Sequence, residues 1–373
     1  MRGMTHTFLT RSKLHRFFAA GAALCVLAFA GAALAICEDE NSSAKSNAAA
    51  TAATPACSQV IEMAEPTKDG FAAALNHRGL VYESKGELDC ALREFTRAIQ
   101  IKPESVLYSN RGDLYIAKGQ LDSAIKDFNE ALRLEPGNAE AFNNLGSAYF
   151  RKNDVEKAID NYDRAIRLKP DYAKAYVNRS GAYLSKGDPA RAISDCSEAI
   201  RLKHESTDAH YNCGIAHMRL KDLHAAIAEF DKVIHWKPDF ADAFNNRGNA
   251  LSLKGDFERA IHDFDEAIRL TPGFVEAYYN RALALSRIGQ RDRAIEDFGM
   301  AIHLKPDSPQ AFNNRGSLYV ENGQLDLAIQ DFDEAIRLRP DYADAVRNRS
   351  IASQRKSAQG QVAQVSVTTA NQP

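Results

Sequence analysis

Two neighbouring stretches decide the fold: residues 311–319, Ala311-Phe312-Asn313-Asn314-Arg315-Gly316-Ser317-Leu318-Tyr319, and residues 328–336, Ala328-Ile329-Gln330-Asp331-Phe332-Asp333-Glu334-Ala335-Ile336. In the second, Ala328, Phe332 and Ala335 fall on one stripe at helical spacing, with acids and amides between them. Gly323, between the two stretches, suits the left-handed residue that closes a helix. Pro340, which has no N–H to donate, ends the second one. The unit is predicted to be a helix hairpin.

Outward from this unit the chain repeats itself. Pro136, Pro170, Pro238, Pro272, Pro306 and Pro340 fall on one column with a period of 34, and His204 takes the missing place. A small-residue column (Gly79, Gly112, Gly146, Ser180, Gly214, Gly248, Ala282, Gly316) faces an alanine column (Ala91, Ala124, Ala158, Ala192, Ala226, Ala260, Ala294, Ala328). Small residues on facing helices permit close approach. Large groups stand around them: Phe142, Tyr176, Phe244, Tyr278 and Phe312 in the first helices, Phe95, Phe128, Tyr162, Phe230, Phe264, Phe298 and Phe332 in the second. They are expected to fill the gaps between hairpins.

This period, with its Gly, Tyr, Ala, Phe, Ala and Pro columns, resembles the tetratricopeptide repeat over residues 71–342. The resemblance implies an all-α, right-handed α-solenoid of about eight helix-turn-helix units. The sequence departs from the motif in three ways: Phe or Tyr replaces the opening Trp, Arg mostly replaces the Leu before Gly, and the first two units are 33 residues apart. A lone hairpin cannot bury its apolar face, so stability comes from stacked neighbours. Residues 343–356 copy the start of a ninth unit and then turn polar, as expected of a capping helix, and residues 357–373 read as a disordered tail.

Ahead of the repeats, Arg2, Arg11, Lys13 and Arg16 precede an uncharged run from Phe17 to Cys37 that contains Ala33-Leu34-Ala35. Residues 1–35 therefore read as a signal peptide or an N-terminal membrane anchor, and the chain as exported, periplasmic or in the cell envelope. Residues 36–70, rich in Ala, Ser, Thr and Asn, read as a flexible linker. Forty-seven basic against 49 acidic side chains give a net charge of −2, with no basic field for nucleic acid. No phosphate loop, nucleophile elbow or His-Glu-x-x-His run occurs, so a non-enzyme without a cofactor is expected.

Three sets of polar residues are candidates. Arg111, Arg179, Arg247, Arg281 and Arg315 invite pairing with Asp127, Asp195, Asp263, Asp297 and Asp331 as surface charge, or recognition of an anion. Between the fourth and fifth units Cys196, His210, Cys213 and His217 break the columns; a metal site, a Cys196–Cys213 disulfide and simple core packing all fit that spacing. The metal or the disulfide would make a metal- or redox-responsive envelope protein. The third set is an asparagine column: Asn110, Asn144, Asn178, Asn212, Asn246, Asn280, Asn314 and Asn348. It points about 200° from the Gly contact, which predicts exposure. Either it bonds the adjacent hairpin, or it binds peptide. The ladder is similar to that in the repeat domain of O-GlcNAc transferase, where such asparagines line the concave face and hold peptide backbone. That likeness implies an interaction scaffold for extended peptide or protein segments.

Overall fold

The computed structural model describes residues 68–370. The leader expected at 1–35 and the linker up to residue 67 lie outside the described residues. Every element among the described residues is a helix, and they form two compact units that divide after Leu168. The first holds three hairpins: α1 (Lys68–Ser84) with α2 (Leu88–Ile101), α3 (Ser105–Ala117) with α4 (Leu121–Leu134), and α5 (Ala139–Arg151) with α6 (Val155–Leu168). The second holds five: α7 (Ala173–Lys186) with α8 (Pro189–Leu202), α9 (Thr207–Arg219) with α10 (Leu223–Trp236), α11 (Ala241–Lys254) with α12 (Phe257–Leu270), α13 (Val275–Arg287) with α14 (Arg291–Leu304), and α15 (Pro309–Glu321) with α16 (Leu325–Leu338). A last helix, α17 (Ala343–Ala370), follows. No helix among the described residues is long and apolar enough to cross a membrane.

Local chemistry sets the helix ends. Gly323 closes α15 at φ +74°, and Asn153 and Lys221 hold the same left-handed position without being glycine. Asn138, Asp188, Asp222 and Ser308 cap the helices that follow them by accepting from the backbone N–H three residues on. Within each unit, every first helix packs on its own second helix, and every second helix on the next first helix. First helices of neighbouring hairpins also touch, as α7 does α9 and α9 does α11.

The small-residue column has a more specific cause than close approach to alanine. A Cβ at Gly79, Gly112, Gly146, Gly214, Gly248 or Gly316 would stand 2.6–2.8 Å from the aromatic ring 16 residues on. The ring of the second helix therefore lies on the glycine of its own hairpin. The expectation that these rings only fill gaps between hairpins is corrected accordingly. The fourth hairpin inverts the pair: Ser180 is larger than glycine, and Cys196 smaller than phenylalanine. Both are fully buried.

A second correction concerns the end of the chain. The helix expected to stop at residue 356 runs on to Ala370, through most of the stretch read as a disordered tail. Ala345 and Ala352 anchor its start with no exposure, and no proline interrupts the backbone bonds beyond them.

Candidate functional site

The asparagine column is not the free row that its angle predicted. Asn110 and Asn144 are 7% and 8% exposed, and the other six are half-buried. In seven of them Nδ2 donates to the preceding first helix: Asn110 to Asn76 Oδ1 at 2.9 Å, Asn144 to Asp113 Oδ1 at 2.9 Å, and Asn212 to Ser180 Oγ at 2.8 Å and to the Val177 carbonyl at 3.1 Å. Asn246 donates to the Tyr211 hydroxyl at 2.9 Å, Asn280 to Asn245 Oδ1 at 3.1 Å, Asn314 to the Tyr279 hydroxyl at 2.9 Å and Asn348 to Asn313 Oδ1 at 3.0 Å. The ladder thus bonds adjacent hairpins within each unit. A helix interior gives Asn no local reason to be present, and this bond supplies one.

The acceptor column was not anticipated. Asn245, Tyr279 and Asn313 each accept the bond of the next ladder asparagine. Their adjacency in the sequence, as Asn245-Asn246, Tyr279-Asn280 and Asn313-Asn314, was the available signal. At least one N–H of each of these seven carboxamides is committed in this way. The carbonyl oxygens of Asn110, Asn246, Asn280 and Asn348 carry no hydrogen bond among the described residues. Burial pushes the Tyr211 phenol up to about 12; the nearby Asp242 charge adds to this and the Asn246 bond opposes it. The hydroxyl accordingly stays a neutral donor and acceptor at physiological pH.

The arginine column pairs as expected, but inside the protein. Nε and Nη2 of Arg247 grip Asp263 at 2.8 and 2.7 Å, and the same two-pronged pair recurs at Arg111–Asp127, Arg179–Asp195, Arg281–Asp297 and Arg315–Asp331. The aspartates of these pairs are at most 8% exposed at the side chain, so the surface-charge reading is corrected. The third nitrogen of Arg247 and of Arg281 takes Asp231 and Asp265 of the preceding hairpin, each at 2.6 Å. Guanidinium groups held on both sides do not present themselves to an anion, and that reading falls too. Where the column loses its arginine, the partner changes with it. Leu145 faces a neutral Asn161, and Cys213 leaves Glu229 to other cations.

At that junction the metal reading is overturned. Cys196 on α8 and Cys213 on α9 form a disulfide, with Cα atoms 5.7 Å apart, so neither sulfur is a thiolate ligand. His210 Nδ1 bonds the Glu229 carboxylate and its Nε2 meets the His204 carbonyl at 3.1 Å, while His217 lies 3.6 Å from Asp222. Among the described residues no three His, Cys, Asp or Glu side chains converge on a common point. Burial alone would raise the Glu229 carboxyl, but hydrogen bonds and charge from His210 and Lys232 outweigh it and hold it below its usual range. Glu229 thereby recovers the cation that the missing arginine would have supplied.

Models of the tetratricopeptide repeat match residues 72–105, 109–173, 148–206, 180–239, 241–274 and 279–343. No curated protein matches the chain. Among solved structures, the chain is similar to one from the Cut9–Hcn1 hetero-tetramer of the APC/C, with a TM-score of 0.57, 17% identity and 80% of this chain covered. It spans 58% of that chain. A tetratricopeptide repeat protein from Parabacteroides merdae gives a TM-score of 0.51 at 20% identity, covering 67% of this chain and 98% of that one. Pseudomonas aeruginosa pilF gives 0.51 at 19% identity, with 56% and 96% covered. At these identities the likeness concerns the fold.

Proposed function

The chain belongs to the tetratricopeptide repeat family, a family of protein-interaction scaffolds, and on that premise we propose that it is an exported scaffold holding extended peptide or protein segments along its first helices. The observation that carries the reading is the ladder: Asn246, Asn280 and Asn314 stand in register on consecutive hairpins, each tied down by one N–H. A carboxamide offers two N–H donors and a carbonyl acceptor, so a tethered one still has both kinds of group to give. Tethering fixes the rotamer before the ligand arrives, which lowers the ordering cost of binding. Contacts between neighbouring first helices favour the inner, concave side of the stack for this row. Packed helices repeat at about 8–10 Å and an extended chain advances about 3.3 Å per residue, so one hairpin faces about three residues of the partner.

Export is the second part of the proposal. The basic, apolar and small-residue order of residues 1–35 motivates it, and the Cys196–Cys213 disulfide supports it, because such bonds persist in oxidising compartments. Retention of the apolar segment as a membrane anchor is the alternative, which N-terminal sequencing of the protein from fractionated cells distinguishes.

The binding role is tested by changing Asn246, Asn280 and Asn314 together to Ala, using a partner recovered by pull-down. Calorimetry is expected to find binding weakened by about 0.5–1.5 kcal/mol for each net hydrogen bond lost. A control changes Tyr211 and Tyr279 to Phe, which removes inter-hairpin acceptors and leaves every ladder carboxamide in place. The control frees two rotamers but keeps every ligand-facing group, so it is expected to weaken binding less than the Ala variant does; equal weakening, or normal binding by the Ala variant, would show that the ladder serves only to join hairpins.

A further inference from the structure

Building on this peptide-binding reading, we propose that the first-helix face of the second unit selects extended partners carrying a basic side chain at about every third residue. Four positions before the ladder asparagine, α9, α11 and α13 carry Asp208, Asp242 and Glu276, all exposed. That spacing sets carboxylate and carboxamide on one face of each helix. Consecutive hairpins therefore line the three carboxylates up as a row beside the ladder.

None of the three makes an ion pair among the described residues. Three and four positions on stand Tyr211 and Asn212, Asn245 and Asn246, Tyr279 and Asn280, so no cation is within helical reach. The second helices behave differently: Glu130, Glu198, Glu266 and Glu334 each bond an arginine three residues on, at 2.6–2.8 Å. The three acids of this row thus differ from those second-helix glutamates, and they stand in register beside the ladder. First-turn acids do suit the helix dipole. However, Lys174 and Gln310 occupy the same column in α7 and α15, so the helices do not require them.

Apolar groups lie across the amide row from the carboxylates. Three positions after the ladder, Leu283 is 39% exposed, and Leu253, a further turn along α11, is 68% exposed. Ile215 stands half-buried on the same stripe of α9. Unpaired acids on one side of the amide row and uncovered aliphatic groups on the other complement an extended chain with three residues per turn, which returns a Lys or Arg at every third position to the carboxylate side and an apolar residue of each triplet to the other. The aliphatic stem of a basic side chain also covers apolar surface while its head reaches a carboxylate. At the far ends of α9 and α13, Arg219 and Arg287 form the opposite rim, so the basic side chains of the partner are directed to the helix N-termini.

The test uses the full chain and fluorescence anisotropy with three labelled peptides of repeated Lys-Ser-Val, Gln-Ser-Val and Glu-Ser-Val triplets. The Lys peptide is expected to bind about tenfold more tightly than the Gln peptide at low salt, with the gap closing as salt rises. Asp208→Asn, Asp242→Asn and Glu276→Gln together should abolish that gap without changing thermal unfolding. Equal binding of the Lys and Gln peptides, or a gap that survives in the triple variant, overturns the charge selectivity and leaves peptide binding standing. No binding of the Lys peptide overturns it as well, and the ladder experiment with the recovered partner then decides the wider reading on its own.

Discussion

One hydrogen atom separates glycine from the methyl group that position 248 does not admit. Helix propensity alone favours Ala there by about 1 kcal/mol. Packing opposes it, because a Cβ would sit 2.7 Å from the buried Phe264 ring. Gly248→Ala is therefore predicted to destabilise the protein by about 1–3 kcal/mol, read as a lower urea midpoint; an unchanged or higher midpoint would show that the ring moves aside freely. Ala282 occupies the same column over Phe298, so accommodation is local and not uniform. The small column was legible in the sequence. Its partner was not, since the alanine and aromatic columns both recur once per unit and only the packed hairpin distinguishes which of them touches the glycine.

At the scale of the helix, the arginine and aspartate columns join the first and second helices of a hairpin. Arg315→Leu strands Asp331, 6% exposed, without its cation, and is predicted to cost about 3–5 kcal/mol. Adding Asp331→Asn copies the neutral Leu145 and Asn161 pair of the third hairpin and should recover more than half of that loss. Hydrogen exchange of α15 and α16 is the suitable measurement, because stacked repeats need not unfold in one step. A double variant no better than the single one would show that the pair contributes through shape and not charge. The constant 16-residue offset of the two columns made pairing readable in advance. Burial was not readable, since a charged residue on a helix is ordinarily solvated and only stacking of the next hairpin covers it.

For the whole molecule, the fourth hairpin lacks the ring-on-glycine contact and the fifth lacks the arginine clamp, and the Cys196–Cys213 bond joins those two hairpins. It closes a loop with a sequence separation of 17, for which loop entropy corresponds to about 3 kcal/mol. Reduction is predicted to lower the unfolding midpoint of the second unit, with exchange rising first in α8 and α9. Cys196→Ala with Cys213→Ala should remove that sensitivity from the second unit. A wild-type midpoint indifferent to reductant would deny the bond this role. The sequence by itself determined the helices, the turns between them, the eight hairpins and the repeat family, because these depend on interactions within about one period and recur at every copy. Only the tertiary structure decided that the ladder asparagines reach back to the preceding hairpin, that the arginines are enclosed, and that two cysteines bond each other and hold no metal. Those outcomes depend on which of several plausible neighbours, 16 to 35 residues away, stands within about 3 Å of a side chain, and a repeating pattern presents all of those neighbours alike.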